Sequence, residues 1–236
     1  MNRIALPFAA LTVLAAAPSF AADAVYVKAE QTHILQILAT PPLSDSVTTK
    51  NELVLLHHLQ DSRTPEQAAR AVADDNDESI FLYRTVLGER FNPAQLPLTV
   101  ALSVNVGHDE SANTKPAKTA FHRVRPYNLD KSLQPICKTK TIDDSYPSGH
   151  TTAGYLQGLV LIEMVPEQRD AILARAADYG HNRIVCGVHY PTDVEASRAL
   201  SYAIHAVMGT NPQFQRDVDA ARVELRKVLG LGPIKQ

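Results

Sequence analysis

The sequence has no excess of basic residues. Its 23 Lys and Arg stand against 25 Asp and Glu, so the formal net charge at pH 7 is −2. Proteins that bind nucleic acid generally carry a basic face, and this balance therefore excludes nucleic acid as a partner. The sequence also has no Gly/Ser-rich linker, internal repeat or low-complexity segment that would mark a boundary. We expect a single domain.

Long apolar runs are also missing. The apolar run at residues 4–17 is shorter than the ~20 residues that a membrane-spanning helix needs, which disfavours an N-terminal membrane anchor. Arg3 precedes this run, and Ser19 and Ala21 provide small residues at the two positions that a signal peptidase reads, so we expect residues 1–21 to be a signal peptide cleaved after Ala21. Residues 22–236 would then form one domain of a periplasmic or secreted protein with no membrane span.

Cysteine is scarce: Cys137 and Cys186 are the only two. In an exported protein an even pair of cysteines is a candidate for a disulfide. Such a bridge would join two segments that lie beside the polar motifs described below. The alternative is a pair of buried free thiols that act as small apolar side chains.

Signals for β-strands are few, because alternating β-branched runs are rare and the Asn-Gly hairpin signal is absent. Apolar residues at helical spacing instead recur along the chain. They predict a helix that begins after a cap at Thr64, and further helices over residues 48–60, 94–106, 151–164, 166–179, 191–208 and 211–229. We therefore expect an all-α helical bundle that presents its functional groups at helix ends.

Two polar segments interrupt this pattern. Residues 107–147 contain Pro116, Pro126 and Pro135, and we expect a long ordered loop, a feature that is often functional. The acidic run at residues 74–78 lacks the glycine and the spaced ligands of a calcium loop. It predicts a solvated turn between helices.

The segment Pro-Ser-Gly-His at residues 147–150 leads into an apolar helix. Ser148 suits the N-cap position, and Gly149 lets the backbone approach a ligand closely. The amides of the first turn would point at an anion, aided by the helix dipole, and His150 would lie beside that anion. Taken alone, the segment is also compatible with a capped helix that carries an incidental histidine.

A second motif begins at His189. Pro191 suits the first position of a helix, which places Asp193 in the opening turn with its carboxylate within reach of the His189 imidazole. A carboxylate bound to one ring nitrogen sets the tautomer and leaves the other nitrogen able to attack. The alternatives are a surface cap or a pair of metal ligands, but the neighbouring charged residues are cations rather than further ligands.

Three cations accompany these motifs: Lys118, Arg125 and Arg183. A phosphoryl group in transfer spreads negative charge over its oxygens, and guanidinium and ammonium groups both bind and stabilise that charge. Together with the two histidines and the carboxylate, the cations indicate a phosphoryl-transfer enzyme that needs no metal or other cofactor.

The order Lys-x6-Arg-Pro, Pro-Ser-Gly-His and Arg-x5-His-x3-Asp, from Lys118 to Asp193, resembles the signature of the type 2 phosphatidic acid phosphatase (PAP2) superfamily. The residues Ser-Tyr-Pro-Ser-Gly-His-Thr at 145–151 are similar to those of its soluble branch, the bacterial class A nonspecific acid phosphatases. The resemblance implies the all-α bundle that acid phosphatases share with vanadium haloperoxidases.

The resemblance also implies a role for each motif residue. His189 would attack phosphorus and form a phosphohistidine, Asp193 would orient it, and His150 would protonate the leaving oxygen and then help water to hydrolyse the intermediate. The phosphoryl oxygens would be bound by Lys118, Arg125, Ser148, Gly149 and Arg183. The family usually has serine before the arginine of the third motif, where this chain has Asn182.

The implied substrate is a small phosphomonoester, with phosphate or vanadate as inhibitor and phosphotransferase activity as an added outcome of the same intermediate. The sequence leaves open whether the protein is a homo-oligomer. We expect the remaining polar residues next to the motifs, His122, Arg123 and His181, to have structural or surface roles.

Three other functions compete with this hypothesis. Vanadium-dependent haloperoxidases resemble the same superfamily, but their chains are usually much longer. Membrane lipid phosphatases carry several spanning helices, which this sequence lacks after residue 21. A periplasmic phosphate-binding protein without turnover would need the cations but not the pair of His189 and Asp193, whose presence favours catalysis.

Overall fold

The computed structural model describes residues 24–139 and 141–234. The expected signal peptide at residues 1–21 lies outside the described residues. Within them the chain forms helices and turns and no β-strand, which confirms the expected all-α class.

Seven helices have ten residues or more among the described residues. They are α1 Val47–Ser62, α2 Pro65–Asp74, α3 Pro97–Phe121, α4 Gly149–Met164, α5 Arg169–Val185, α6 Pro191–Met208 and α7 Pro212–Leu229. Short single-turn α-helices cover Ala29–Thr32, Ile34–Ile37, Arg84–Leu87 and Pro126–Leu129, and 3₁₀ turns cover Ile80–Tyr83, Pro93–Gln95 and Pro166–Gln168. The predicted caps at Thr64 and Ser148 accept hydrogen bonds from the amides of Gln67 and Thr151.

Helix α3 is longer than predicted, because residues 107–121 continue it through Pro116 instead of forming a loop. Two polar side chains in this part bind the segment before α1. Asp109 accepts hydrogen bonds from the amides of Val25 and Tyr26 at 2.6 and 3.1 Å, and the Asn113 amide donates to the carbonyl of Val27 at 2.9 Å. The prediction of a loop over 107–121 was therefore wrong.

Two other predictions from polar sequence were wrong for the same reason. Helix α5 runs on to Val185, six residues beyond the expected end, because Asn182 and Arg183 are buried rather than solvated. The acidic run at 74–78 is not a solvated turn either, since Asp74 and Asp75 are both 6% exposed. Asp74 pairs with Arg175 and accepts a hydrogen bond from the Asn182 amide at 2.7 Å.

Helix α4 lies at the centre of the bundle and packs against α3, α5, α6 and α7. Most of its side chains are buried. Two glycines allow the neighbouring aromatic side chains to approach its backbone: a Cβ on Gly154 would lie 2.5 Å from the Tyr179 ring, and one on Gly158 would lie 2.3 Å from Tyr83 Oη. The Tyr83 hydroxyl donates to the Gly154 carbonyl at 2.7 Å.

The polar motifs meet at one end of this bundle. Helices α4 and α6 begin there, and helices α2, α3 and α5 end there. Both helix N-termini therefore present amides and partial positive charge to the same region.

A disulfide joins Cys137 to Cys186, as predicted, with a Cα–Cα distance of 5.3 Å. It attaches the segment after Leu133 to the end of α5, where the Ile136 amide also donates to the Cys186 carbonyl at 3.1 Å. Among the described residues, no helix is both long enough and apolar enough to cross a membrane.

We predict that replacing both cysteines with alanine lowers the free energy of unfolding. The bridge closes a loop with a sequence separation of 49 residues, and a loop of this size is worth about 2–4 kcal/mol. Denaturant unfolding of the wild-type protein is measured with and without reductant. This comparison separates the stabilisation that comes from the covalent bond from the stabilisation that comes from the packing of the sulfur atoms. Reductant should destabilise the wild type and leave the double variant unchanged; equal stability of all forms would contradict the prediction.

Candidate functional site

A cavity of about 490 Å³ opens at the end of the bundle where the motifs meet. Its lining is dominated by charged and hydroxyl side chains, with basic and acidic groups facing one another. The lining residues are Asp75, Glu78, Glu110, Ser111, Thr114, Lys115, Lys118, Arg125, Lys138, Thr141, Asp144, Gly149, His150, Arg183 and His189.

His189 lies on the floor of this cavity and is 1% exposed. Its Nδ1 is 3.2 Å from Oδ2 of Asp193, in the first turn of α6. Because the carboxylate accepts a hydrogen bond from Nδ1–H, the neutral ring carries its lone pair on Nε2. That nitrogen is 2.7 Å from Nη1 of Arg125, which can only donate. The sequence-predicted pairing of these two side chains is present.

Burial is the main reason why the pKa of His189 is lowered well below its usual value of 6.5. The charges of Arg125 and Lys118 act in the same direction. These three effects outweigh the adjacent carboxylate. His189 is therefore neutral at mildly acidic pH, the state in which its Nε2 is a nucleophile.

Asp193 is fully buried and lies behind His189, outside the lining of the cavity. Burial raises its pKa, although three donors act to lower it. Oδ2 accepts from the Ser145 hydroxyl at 2.6 Å and from the Tyr190 amide at 2.9 Å, and Oδ1 accepts from Arg123 at 2.6 Å. The donors keep a buried carboxylate ionised next to the imidazole.

Arg123 has a larger structural role than the sequence predicts. It is 6% exposed rather than at the surface, and its guanidinium bridges Asp193 and Glu52, the latter at 2.8 Å. The guanidinium also lies over the ring of Tyr190, 4.0 Å from its centroid. The only feature of the sequence that indicated a role for Arg123 was its position two residues before Arg125. The other two residues expected to be structural, His122 and His181, are exposed.

Lys118 and Arg125 share one carboxylate. Asp144 pairs with Arg125 Nε at 2.8 Å and lies 3.9 Å from Lys118 Nζ, which donates to the Asp144 carbonyl at 2.6 Å. Burial would raise the pKa of Asp144, but the hydrogen bond from Arg125 and other donors lower it to about 2. Burial and then the Arg125 charge lower the pKa of Lys118 to about 8.

Arg183 is 3% exposed and is bound by Asp75 at 2.6 Å. Burial would raise the pKa of Asp75, but the hydrogen bond and charge of Arg183 lower it. Among the described residues, Nε of Arg183 has no hydrogen-bond partner although it is buried. A buried donor without a partner is costly, so this group is suited to a ligand oxygen. The adjacent Asn182 turns to Asp74 instead of the cavity.

The N-terminus of α4 forms another wall. Ser148 caps the helix and is fully buried, outside the cavity lining, while Gly149 and His150 line the cavity. Nε2 of His150 is 2.9 Å from Glu78 Oε1 and 3.8 Å from the Asp75 carboxylate. The hydrogen bond with His150 is the main reason why the pKa of Glu78 is lowered.

The structure therefore brings Lys118, Arg125, Gly149, His150, Arg183 and His189 together in one cavity and places Ser148 and Asp193 directly behind it. Sequence reasoning missed the acidic side of the cavity: Asp75, Glu78, Glu110 and Asp144. The acidic run at 74–78 was visible in the sequence, but no local pattern related it to Arg183 or His150. Among the described residues, no group of three or more His, Cys, Asp and Glu side chains is arranged to hold a metal ion.

Comparisons with known proteins agree with this geometry. The family model of the PAP2 superfamily matches residues 94–216. A non-specific acid phosphatase from Providencia stuartii is 30% identical over 87% of this chain and 86% of its own length. An acid phosphatase from Zymomonas mobilis is 33% identical over 82% of this chain and 75% of its own length.

Among solved structures, a transmembrane PAP2-type phosphatidylglycerolphosphate phosphatase from Bacillus subtilis superimposes with a TM-score of 0.51 and 16% identity. The match covers 70% of this chain and 86% of the other. At this identity the likeness concerns the fold alone.

We predict that Arg123→Met destabilises the protein by about 3–5 kcal/mol, because it leaves two buried carboxylates, Glu52 and Asp193, without their cation. The double variant Arg123→Met/Glu52→Gln should recover part of this lost stability, because it removes one of the two unpaired carboxylates. Arg70→Met, which breaks an exposed pair with Asp178, should cost at most about 1 kcal/mol. The free energies of unfolding from denaturant titrations check all three, and a loss at Arg123 no larger than at Arg70 would contradict the prediction.

Proposed function

This chain belongs to the PAP2 superfamily, and we propose that it is an acid phosphatase that hydrolyses phosphomonoesters through a phosphohistidine intermediate. The observation that carries the proposal is the arrangement of His189. Its Nδ1 is held by a buried carboxylate, while its Nε2 faces a cavity rich in fixed cations. A neutral imidazole in this position is a nucleophile directed at an anionic substrate.

In the first step, Nε2 of His189 attacks phosphorus, the N–P bond forms and the bond from phosphorus to the leaving oxygen breaks. His150 donates its proton to that oxygen, so the product leaves as a neutral alcohol. The charge that develops on His189 is balanced by Asp193. This assignment is supported by the placement of His150 on the first turn of α4, in the same cavity.

In the second step, a water molecule attacks phosphorus and gives a proton to His150, and the N–P bond breaks. Inorganic phosphate leaves, His189 is neutral again and His150 is ready for another cycle. An alcohol that takes the place of water would accept the phosphoryl group instead, which accounts for phosphotransferase activity from the same intermediate.

In the proposed reaction, fixed side-chain cations provide the charge stabilisation that metal ions provide in other phosphatases. Lys118, Arg125 and Arg183 line the cavity, and we propose that the Nε of Arg183, which has no partner among the described residues, donates to a phosphoryl oxygen. The amide of Gly149 at the start of α4 adds a backbone donor, and Ser148 holds that turn in place. We infer that the reaction proceeds without a metal, and that phosphate and vanadate compete with the substrate for these donors.

We also propose that residues 1–21 direct export and that residues 22–236 act as one domain in the periplasm or outside the cell. The disulfide between Cys137 and Cys186 supports this, because such bonds persist in oxidising compartments.

We predict that His189→Ala abolishes phosphoenzyme formation and turnover, because the attacking nitrogen is lost. His150→Ala should still form a phosphoenzyme, with hydrolysis slowed about 10²–10⁴-fold through loss of the proton shuttle. The rate of phosphoenzyme formation by His150→Ala should fall less with an aryl phosphate than with an alkyl phosphate, since the aryl oxygen leaves without a proton. Acid-quenched labelling and steady-state rates, both in the presence of a chelator, measure these effects.

His181→Ala is the matched control, because His181 is exposed and next to the third motif. It should retain wild-type rates. Label retained on the His189→Ala protein would disprove the assigned nucleophile. Activity that is lost with the chelator and restored by a divalent ion would disprove metal independence.

A second prediction concerns the protonation of His189. Its pKa is lowered by burial and by Arg125 and Lys118, so its folded-state value lies below that of the unfolded chain. The folded protein then keeps the ring neutral as the pH falls through 6.5, and loses stability at lower pH, where the unfolded chain takes up the proton. Histidine-selective ¹⁵N NMR should show His189 titrating below 6.5, and Arg125→Gln should raise its midpoint. A midpoint at or above 6.5 would contradict the prediction.

A further inference from the structure

Among the described residues, Glu110 is the one carboxylate of the cavity that no cation binds directly. Asp75 is paired with Arg183, Asp144 with Arg125, and Glu78 with His150. Glu110 is 4% exposed, and its Oε2 accepts a hydrogen bond from the Ser111 hydroxyl at 3.1 Å. Its Oε1 is buried and has no hydrogen-bond partner among the described residues.

The orphaned oxygen lies where the proposed function places the phosphoryl group. Oε1 is 3.4 Å from the position that a Cβ on Gly149 would take, and Cε of Lys118 is 4.0 Å from the same point. The carboxyl of Glu110 and the side chain of Lys118 therefore both lie next to the start of α4. An ionised carboxylate here would oppose any anion bound at this turn.

The charged and titratable groups around Glu110 come from every wall of the cavity. Lys118 lies two helical turns further along α3, and its Nζ is directed to the Asp144 carbonyl rather than to Glu110. Glu78 approaches from the turn after α2 and adds negative charge. The other charged or titratable groups that line the cavity are Asp75, Lys115, Arg125, Lys138, Asp144, His150, Arg183 and His189.

The balance of these surroundings favours the neutral acid. Burial is the largest influence on the pKa of Glu110, the charge of Glu78 adds to it, and together they outweigh Lys118 and the hydroxyl donors and raise the pKa to about 7. A neutral carboxyl needs no cation and carries a proton that it can donate.

We propose that Glu110 is a specificity-determining residue that couples anion binding to pH: its neutral form admits a tetrahedral dianion beside Gly149 and Lys118, and its ionised form rejects it. This inference rests on the proposed phosphatase function and deepens it. It assigns the preference of an acid phosphatase for acidic conditions to the pH dependence of anion binding. By linkage, a bound dianion must in turn favour the protonated form of Glu110.

The test uses sulfate, which is tetrahedral and keeps two charges across the relevant pH range. For the wild type, calorimetry should show the sulfate Kd rising about tenfold between pH 6 and pH 8, as Glu110 loses its proton. Glu110→Gln keeps the shape and a donor but cannot ionise. Its Kd should stay within about threefold of the wild-type value at pH 6 and should rise at least about threefold less than that of the wild type up to pH 8, where the remaining change comes from the other titratable groups of the cavity.

Glu163→Gln is the matched control, because it removes a carboxylate that pairs with His205 outside the cavity. It should retain the tenfold change. Titrations in buffers of different ionisation enthalpy should show fewer protons taken up with sulfate by Glu110→Gln than by the wild type at pH 7.5. An unchanged pH dependence and proton uptake in Glu110→Gln would overturn the proposal.

If Glu110→Gln does not fold, the side-chain carboxyl of Glu110 can be followed in the wild type by ¹³C NMR. Its titration midpoint should move upward when sulfate is added, and an unmoved midpoint would overturn the proposal. Because sulfate binding needs no turnover, these results are independent of the phosphatase assays. A protein that binds sulfate as expected but does not hydrolyse phosphomonoesters would contradict the proposed function alone.

Discussion

The buried carboxylate of Asp193 is the group on which the rest of the site depends. It holds the imidazole of His189 and accepts from Ser145, from the Tyr190 amide and from Arg123. Through Arg123 and its partner Glu52, these contacts extend from the start of α6 to α1 and to the segments that follow α3 and precede α4. A buried charge is stable only where such donors are complete, so the same bonds that position the imidazole also hold these four parts of the chain together.

The cavity in front of this network is not simply basic. Three of its carboxylates are bound to Arg183, Arg125 and His150, so a phosphoryl oxygen must compete with carboxylate oxygens for the same donors. The buried Nε of Arg183 is an exception, because no described group satisfies it. Under the proposed function, such a balance would limit the affinity for any anion and favour release of the phosphate product, which would bind too tightly to cations without counter-charges.

Local sequence patterns were sufficient for every feature that depends on neighbouring residues. The cap at Ser148, proline at the start of α6 and the approach of Asp193 to His189 each span four residues or fewer, and helix geometry alone brings these groups together. The bundle class followed from helical periodicity, and the disulfide from the presence of only two cysteines. The family signature then related the three motifs, which are separated by up to about 75 residues.

The features that could not be predicted are polar residues whose partners are distant in sequence. Asp75 meets Arg183 across 108 residues, and Arg123 meets Glu52 across 71; in both cases a polar side chain suggested a solvated surface, because exposure is the usual fate of an isolated charge. The burial of such a side chain depends on a group of opposite charge, and only the packing of the helices brings that group next to it. Glu110 extends the same argument: it has no directly bound counter-charge among the described residues, and burial raises its pKa to about 7.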